Sequence, residues 1–160
     1  MKSILFSLTT AAMIALASPA LAHEGSHPET EQKSPVEIVT AFGTALDAGD
    51  KATLTRLLAP DVQIAESGGL ERSFEEYRSH HMDADIEFSK AVDTTVLDRR
   101  VYEGAGLVTV MTEAVSIGTF RGKPVNSRLM ETMVLKQTDG DWKIVHIHWS
   151  SARISEDESH

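Results

Sequence analysis

The sequence predicts an α+β fold in which N-terminal helices are covered by a curved, mostly antiparallel sheet. Three observations carry this. Two serine-led capping patterns open helical stretches before residue 90. Long alternating runs fill most of residues 91–150. Glycine-containing turns separate those runs at hairpin spacing.

Ser34-Pro35-Val36-Glu37 is a capping box with proline at the first helical position. The helix it starts places Val36, Val39, Phe42, Gly43 and Leu46 on one face. Gly49-Asp50 ends it and begins a second helix, whose apolar side is Leu54, Leu57 and Leu58 and which Pro60 stops. Residues 61–66 alternate and read as a strand, and Ser67-Gly68-Gly69 reads as a turn. Ser73-Phe74-Glu75-Glu76 predicts a third helix from Phe74 to about Phe88. Four strands follow, over 91–102, 107–120, 124–137 and 143–150. Their turns are Gly104-Ala105-Gly106, Arg121-Gly122-Lys123 and Asp139-Gly140. A bent sheet closed over helices leaves a cavity between the layers.

The ends of the chain read differently. Residues 1–22 carry Lys2, an apolar run to Leu16 and the small-residue ending Ala20-Leu21-Ala22, the pattern of a signal peptide cut after Ala22. The apolar run is too short for a stable membrane anchor. Residues 23–33 form a polar leader, 34–153 the folded domain and 154–160 a polar tail. The expected location is the periplasm of a Gram-negative bacterium, or the medium. The sequence contains no cysteine, which excludes disulfides, thiol nucleophiles and thiolate metal sites. A formal charge of −9 argues against nucleic acid or anionic membrane as partner. No membrane contact is expected after signal cleavage.

Histidines carry most of the candidate chemistry. On the third helix Phe74, Tyr77, His81, Ala84 and Phe88 share a face, with Asp85 at its border and one turn from His81. His81 with Asp85 therefore makes a candidate dyad, the carboxylate orienting the ring for proton transfer. The competing reading is a histidine satisfied within the core. His146 and His148 stand two apart on the last strand. Strict alternation groups them with Ile144 and Ser150, against Val145, Ile147 and Trp149. They could line the pocket or bond across the sheet. His80, His81, Asp83, Asp85, His146 and His148 also offer donors for zinc or copper, and His23 with His27 a copper chelate, although no H-E-x-x-H spacing occurs. Glu66 and Glu71 flank the Gly68-Gly69 turn. Glu113 and Glu131 lie in mid-strand, where Arg128 and Arg99 are available to pair with them. Met111, Met130 and Met133 read as core or interface residues. Phosphate loops, dinucleotide fingerprints and serine elbows are absent, and no cofactor is expected.

The helix over 36–48, the short helix ending at Leu58, the strand with DVQIAESGG and the ending DGDWKIVHIHWSSAR together resemble the nuclear transport factor 2-like, or SnoaL-like, superfamily. The ending is similar to the association domain of calcium/calmodulin-dependent kinase II. The resemblance spans about residues 34–153. It implies a cone-shaped, cystatin-like roll, often dimeric through the outer sheet face, with a pocket used differently by different members. The expected function is an exported small-ligand-binding or accessory domain without turnover. Its pocket is expected among Tyr77, His81, Asp85, His146 and His148. One alternative is a cofactor-independent lyase or isomerase using His81 with Asp85, helped by Tyr77 or His148. The other is a periplasmic copper or zinc protein.

Overall fold

A computed structural model describes residues 32–155; the expected signal peptide, most of the leader and the end of the tail lie outside these residues. The elements are α1 (Pro35–Ala48), α2 (Lys51–Leu57), β1 (Leu58–Glu66), β2 (Gly69–Glu71), α3 (Phe74–His80), α4 (Met82–Ala91), β3 (Val92–Gly104), β4 (Leu107–Phe120), β5 (Lys123–Thr138) and β6 (Asp141–Arg153). The fold is α+β, with one curved, unclosed six-stranded sheet ordered β2-β1-β6-β5-β4-β3. β3 to β6 form the expected antiparallel meander. β1 joins it parallel to β6, because the α3–α4 connection carries the chain across to the far edge.

Local chemistry sets the helix ends. Ser34 and Glu37 form the full capping box: the Glu37 carboxylate accepts from Ser34 N at 2.7 Å, and Ser34 Oγ accepts from Glu37 N at 3.3 Å. Gly49 closes α1 at φ 71°, so that Gly49 N and Asp50 N donate to Leu46 O and Ala45 O. Asp50 then caps α2 by accepting from Thr53 N at 3.0 Å. At α3 only half the expected box forms. Ser73 accepts from Glu76 N at 3.1 Å, but the Glu76 carboxylate reaches back to Arg72 N. Pro60 does not end α2; the helix stops at Leu57, and Pro60 lies within β1.

The expected single helix over 74–88 is two helices that meet at His81. His81 N donates to Tyr77 O, and His81 O accepts from Asp85 N. The reason is phase. Tyr77 and Met82 are both buried, yet at ~100° per residue they would lie ~140° apart on one straight helix. Breaking at His81 lets Tyr77, Met82 and Ile86 all reach the core, and it moves His81 outward.

The core joins Val39, Phe42, Leu54 and Leu57 of the helices to Val62, Ile64, Val110, Met133, Leu135, Ile144 and Ile147 of the sheet. On α1 the buried face runs through Ile38, Val39, Phe42 and Ala45; Val36, Gly43 and Leu46 are only half-buried. β6 departs from strict alternation. Leu135 pairs with Ile144 and Val134 with His146, so Val145 is an extra, bulged residue. Ile144 therefore joins Ile147 on the core side instead of sharing a face with the histidines.

Candidate functional site

The Ser67-Gly68 turn holds both residues at positive φ, 50° and 82°, and folds β2 back on β1 as a tight hairpin. Its register sets Glu71 opposite Ile64, a core-facing residue. Glu71 therefore points inward, with 11% of its side chain exposed. Under this hairpin, against α3, α4 and the far part of β6, lies a cavity of about 170 Å³. Ile64, Glu66, Glu71, Tyr77, His81, Asp85 and Trp149 line it, and Ser67, Gly69 and Leu70 complete the wall.

Tyr77 is wholly buried, and its hydroxyl has no hydrogen-bond partner. Asp85 lies near enough for the two groups to shift each other's pKa, although the pair falls outside hydrogen-bond geometry. Burial, with the charges of Asp85 and Glu66, drives the Tyr77 pKa far above its usual value. Burial likewise raises the Asp85 carboxyl to about 6. The Tyr77 hydroxyl and His81 oppose that rise, and the negative charges of Glu66 and Glu71 add to it. Trp149 packs on Phe42, ring centres 6.3 Å apart, and its indole N–H donates to Glu131 at 2.9 Å. That bond fixes the ring that forms the cavity's apolar wall.

The structure brings together three of the five residues expected in the pocket: Tyr77, His81 and Asp85. His81 sits at the rim, its side chain 63% exposed, and its ring nitrogen Nδ1 bonds Glu71 rather than Asp85. The expected His81–Asp85 dyad is thus a His81–Glu71 pair, because the helix break turns the ring toward the hairpin. His80 adds a second, longer contact to Glu71 at 3.4 Å. His146 and His148 do not line the cavity. The bulge at Val145 puts Ile147 in the core and both histidines on the opposite sheet face. There His146 Nδ1 bonds Gln63 O at 2.9 Å, and His148 is exposed.

The proposed zinc or copper donors are therefore divided between two places. Among the described residues no three or more histidine or carboxylate groups are arranged around one ion, and His23 and His27 lie outside those residues. Of the mid-strand pairings expected, Arg128–Glu113 forms at 2.6 Å. Arg99 bonds Thr112 and Thr40, and Glu131 is taken by Trp149. Met133 is in the core, and Met130 is exposed.

A family model described as a SnoaL-like domain matches residues 36–154. Among solved structures, a ketosteroid isomerase-like protein from Shewanella frigidimarina is 38% identical. The match covers 71% of this chain and 92% of that one, at a TM-score of 0.69. The calcium/calmodulin-dependent kinase II hub of S. rosetta is 23% identical over 75% of this chain and 98% of that one, at 0.64. A protein with a cystatin-like fold from Caulobacter vibrioides is 14% identical over 76% and 88%, at 0.65. The last two show likeness of fold alone. No curated protein matches the chain.

Proposed function

The chain belongs to the SnoaL-like family within the nuclear transport factor 2-like superfamily, and we propose that it binds a small molecule in the cavity beneath the β1–β2 hairpin. One observation carries the reading: the cavity wall holds a fully buried tyrosine hydroxyl with no partner. An unpaired buried hydroxyl costs ~1–3 kcal/mol, which a ligand acceptor atom would recover. The volume of about 170 Å³ lies below the ~300–1,000 Å³ of pockets for drug-sized ligands, so the ligand is a compact molecule rather than a steroid. Titrating the protein with small alcohols, ketones, carboxylates and amines while following tryptophan emission tests this. A saturable change that Tyr77→Phe weakens is expected. Emission unmoved by every fragment, at millimolar concentrations, would remove the reading.

A second reading is favoured by Asp85. A carboxyl titrating near 6 inside a cavity is poised as a general base at neutral pH, with Tyr77 available to donate to a developing oxyanion. This is the proton-transfer chemistry of a cofactor-independent isomerase or lyase, and isomerase is the activity in the Shewanella relative's name. Deuterium incorporation next to the carbonyl of a small enone, followed by NMR, should be catalysed by the protein and lost in Asp85→Asn. Equal rates with and without protein would leave binding alone.

Export and self-association complete the proposal. Lys2, the apolar run and Ala20-Leu21-Ala22 support secretion with cleavage before His23; N-terminal sequencing of the secreted protein tests it. Exposed Ile117 and Met130, on strands whose outer face no helix covers among the described residues, support a homodimer through the sheet. Sedimentation of Ile117→Lys against the unaltered protein tests that interface.

A further inference from the structure

The proposed ligand site has one sign of charge. Three of its lining side chains are carboxylates, Glu66, Glu71 and Asp85, and none is lysine or arginine. His81, the one basic ring in the wall, is already engaged with Glu71. Glu66 makes no ion pair among the described residues. The remaining walls include two aromatic rings, Tyr77 and Trp149, and the bond from Trp149 to Glu131 holds its indole in place.

Resting on the small-molecule reading above, we propose that the ligand is a small organic cation, an amine or quaternary ammonium, held against Trp149 and Tyr77 and facing the Glu66 and Asp85 carboxylates. Aromatic faces attract cations through the ring quadrupole, and carboxylates add Coulomb attraction in a partly desolvated hollow. An anion meets three like charges and the field of a chain whose formal charge is −9. The buried Tyr77 hydroxyl separates this hollow from an ordinary acidic surface cluster, since it is a polar group enclosed beside Asp85 without a partner of its own. A bound cation offsets the charges of Glu66 and Glu71, which oppose ionisation of Asp85, and so draws a proton off that carboxyl.

The test is calorimetry on the purified protein at pH 8 and constant ionic strength, with choline chloride, its neutral isostere 3,3-dimethylbutan-1-ol, and sodium acetate. Choline should bind at least ~10-fold more tightly than the isostere, a difference of ~1.4 kcal/mol. Glu66→Gln, a change at an exposed residue that should leave folding intact, should weaken choline binding by a similar factor. Isostere or acetate binding as well as choline, with a saturable tryptophan signal, overturns the cation assignment and leaves the small-molecule pocket standing. Choline binding unchanged in Glu66→Gln also overturns the assignment. No saturable signal with any of the three, together with none from the fragments above, removes both.

Discussion

Replacing Asp85 by asparagine should make the protein more stable at pH 8 and have little such effect at pH 4. In the unfolded chain this carboxyl loses its proton near 3.8, while in the native state it holds it to about 6. A raised native pKa contributes stability that is fully present below 3.8 and lost as pH rises through 6. At about 1.36 kcal/mol per decade the whole loss is about 3 kcal/mol, of which about 2.4 kcal/mol falls between pH 4 and pH 8, since pH 4 already lies just above 3.8. Asparagine cannot ionise and escapes it. The preference of the Tyr77 hydroxyl for the ionised carboxylate is already contained in the native value of about 6, and the remaining cost of the altered contact is common to both pH values. Urea unfolding of both proteins at pH 4, 5, 6, 7 and 8 measures the effect. The stability difference, variant minus parent, should climb by about 2.4 kcal/mol and level off above pH 7. In melting temperature that is about 10 °C for a domain of this size. A difference that stays flat across the series, or that falls with pH, would refute burial of Asp85 as the cause.

The other predictions concern single contacts. At pH 4, where Asp85 is protonated in the native state, Tyr77→Phe should raise stability by about 1 kcal/mol in chemical unfolding, because it removes an unpaired buried hydroxyl while keeping the ring; the gain should shrink above pH 6, where that hydroxyl favours the ionised Asp85. Gly118→Ala should cost about 1–3 kcal/mol, since an added methyl meets backbone at Ala91 O (2.8 Å) and Val92 Cα (2.9 Å). Phe42→Ala should cost about 3–5 kcal/mol and dim or shift Trp149 emission, as it opens a void behind that ring. His148→Ala should leave ligand titrations of the cavity unchanged, because His148 lies on the far face of the sheet.

The fold was legible in the sequence because its signals are local. Ser34, Gly49-Asp50 and the glycine turns each act through neighbours within four residues, and the four long strands follow from period-two runs between them. Of the candidate site, helical spacing alone places Tyr77 and Asp85 on one side, although the break at His81 sets them on separate helices, α3 and α4. In the sequence Glu71 reads only as a carboxylate flanking the turn, yet a signal for its inward position is present. A two-residue turn at Ser67-Gly68 fixes the hairpin register and sets Glu71 opposite Ile64. Trp149 and the histidines depended on the phase of β6, and an extra residue at Val145 shifts that phase without leaving a glycine or proline to mark it. The break at His81 had the same character. No breaker residue causes it; the demand that Tyr77 and Met82 both reach the core does, and that demand is set by partners distant in sequence.

The bulged Val145 acts as a one-residue clutch. Strand segments on its two sides run out of step, which lets Ile144 anchor the early half of β6 while Trp149 arrives at the hollow in the later half. Were this valine paired in step instead of bulged, plain alternation from Ile144 would swing His146 and His148 under the helices and throw Trp149 out to water, whereas deleting it would leave Ile144, Ile147 and Trp149 on their present face. The hollow, and any chemistry done in it, hangs on the unpaired state of a residue that touches no ligand.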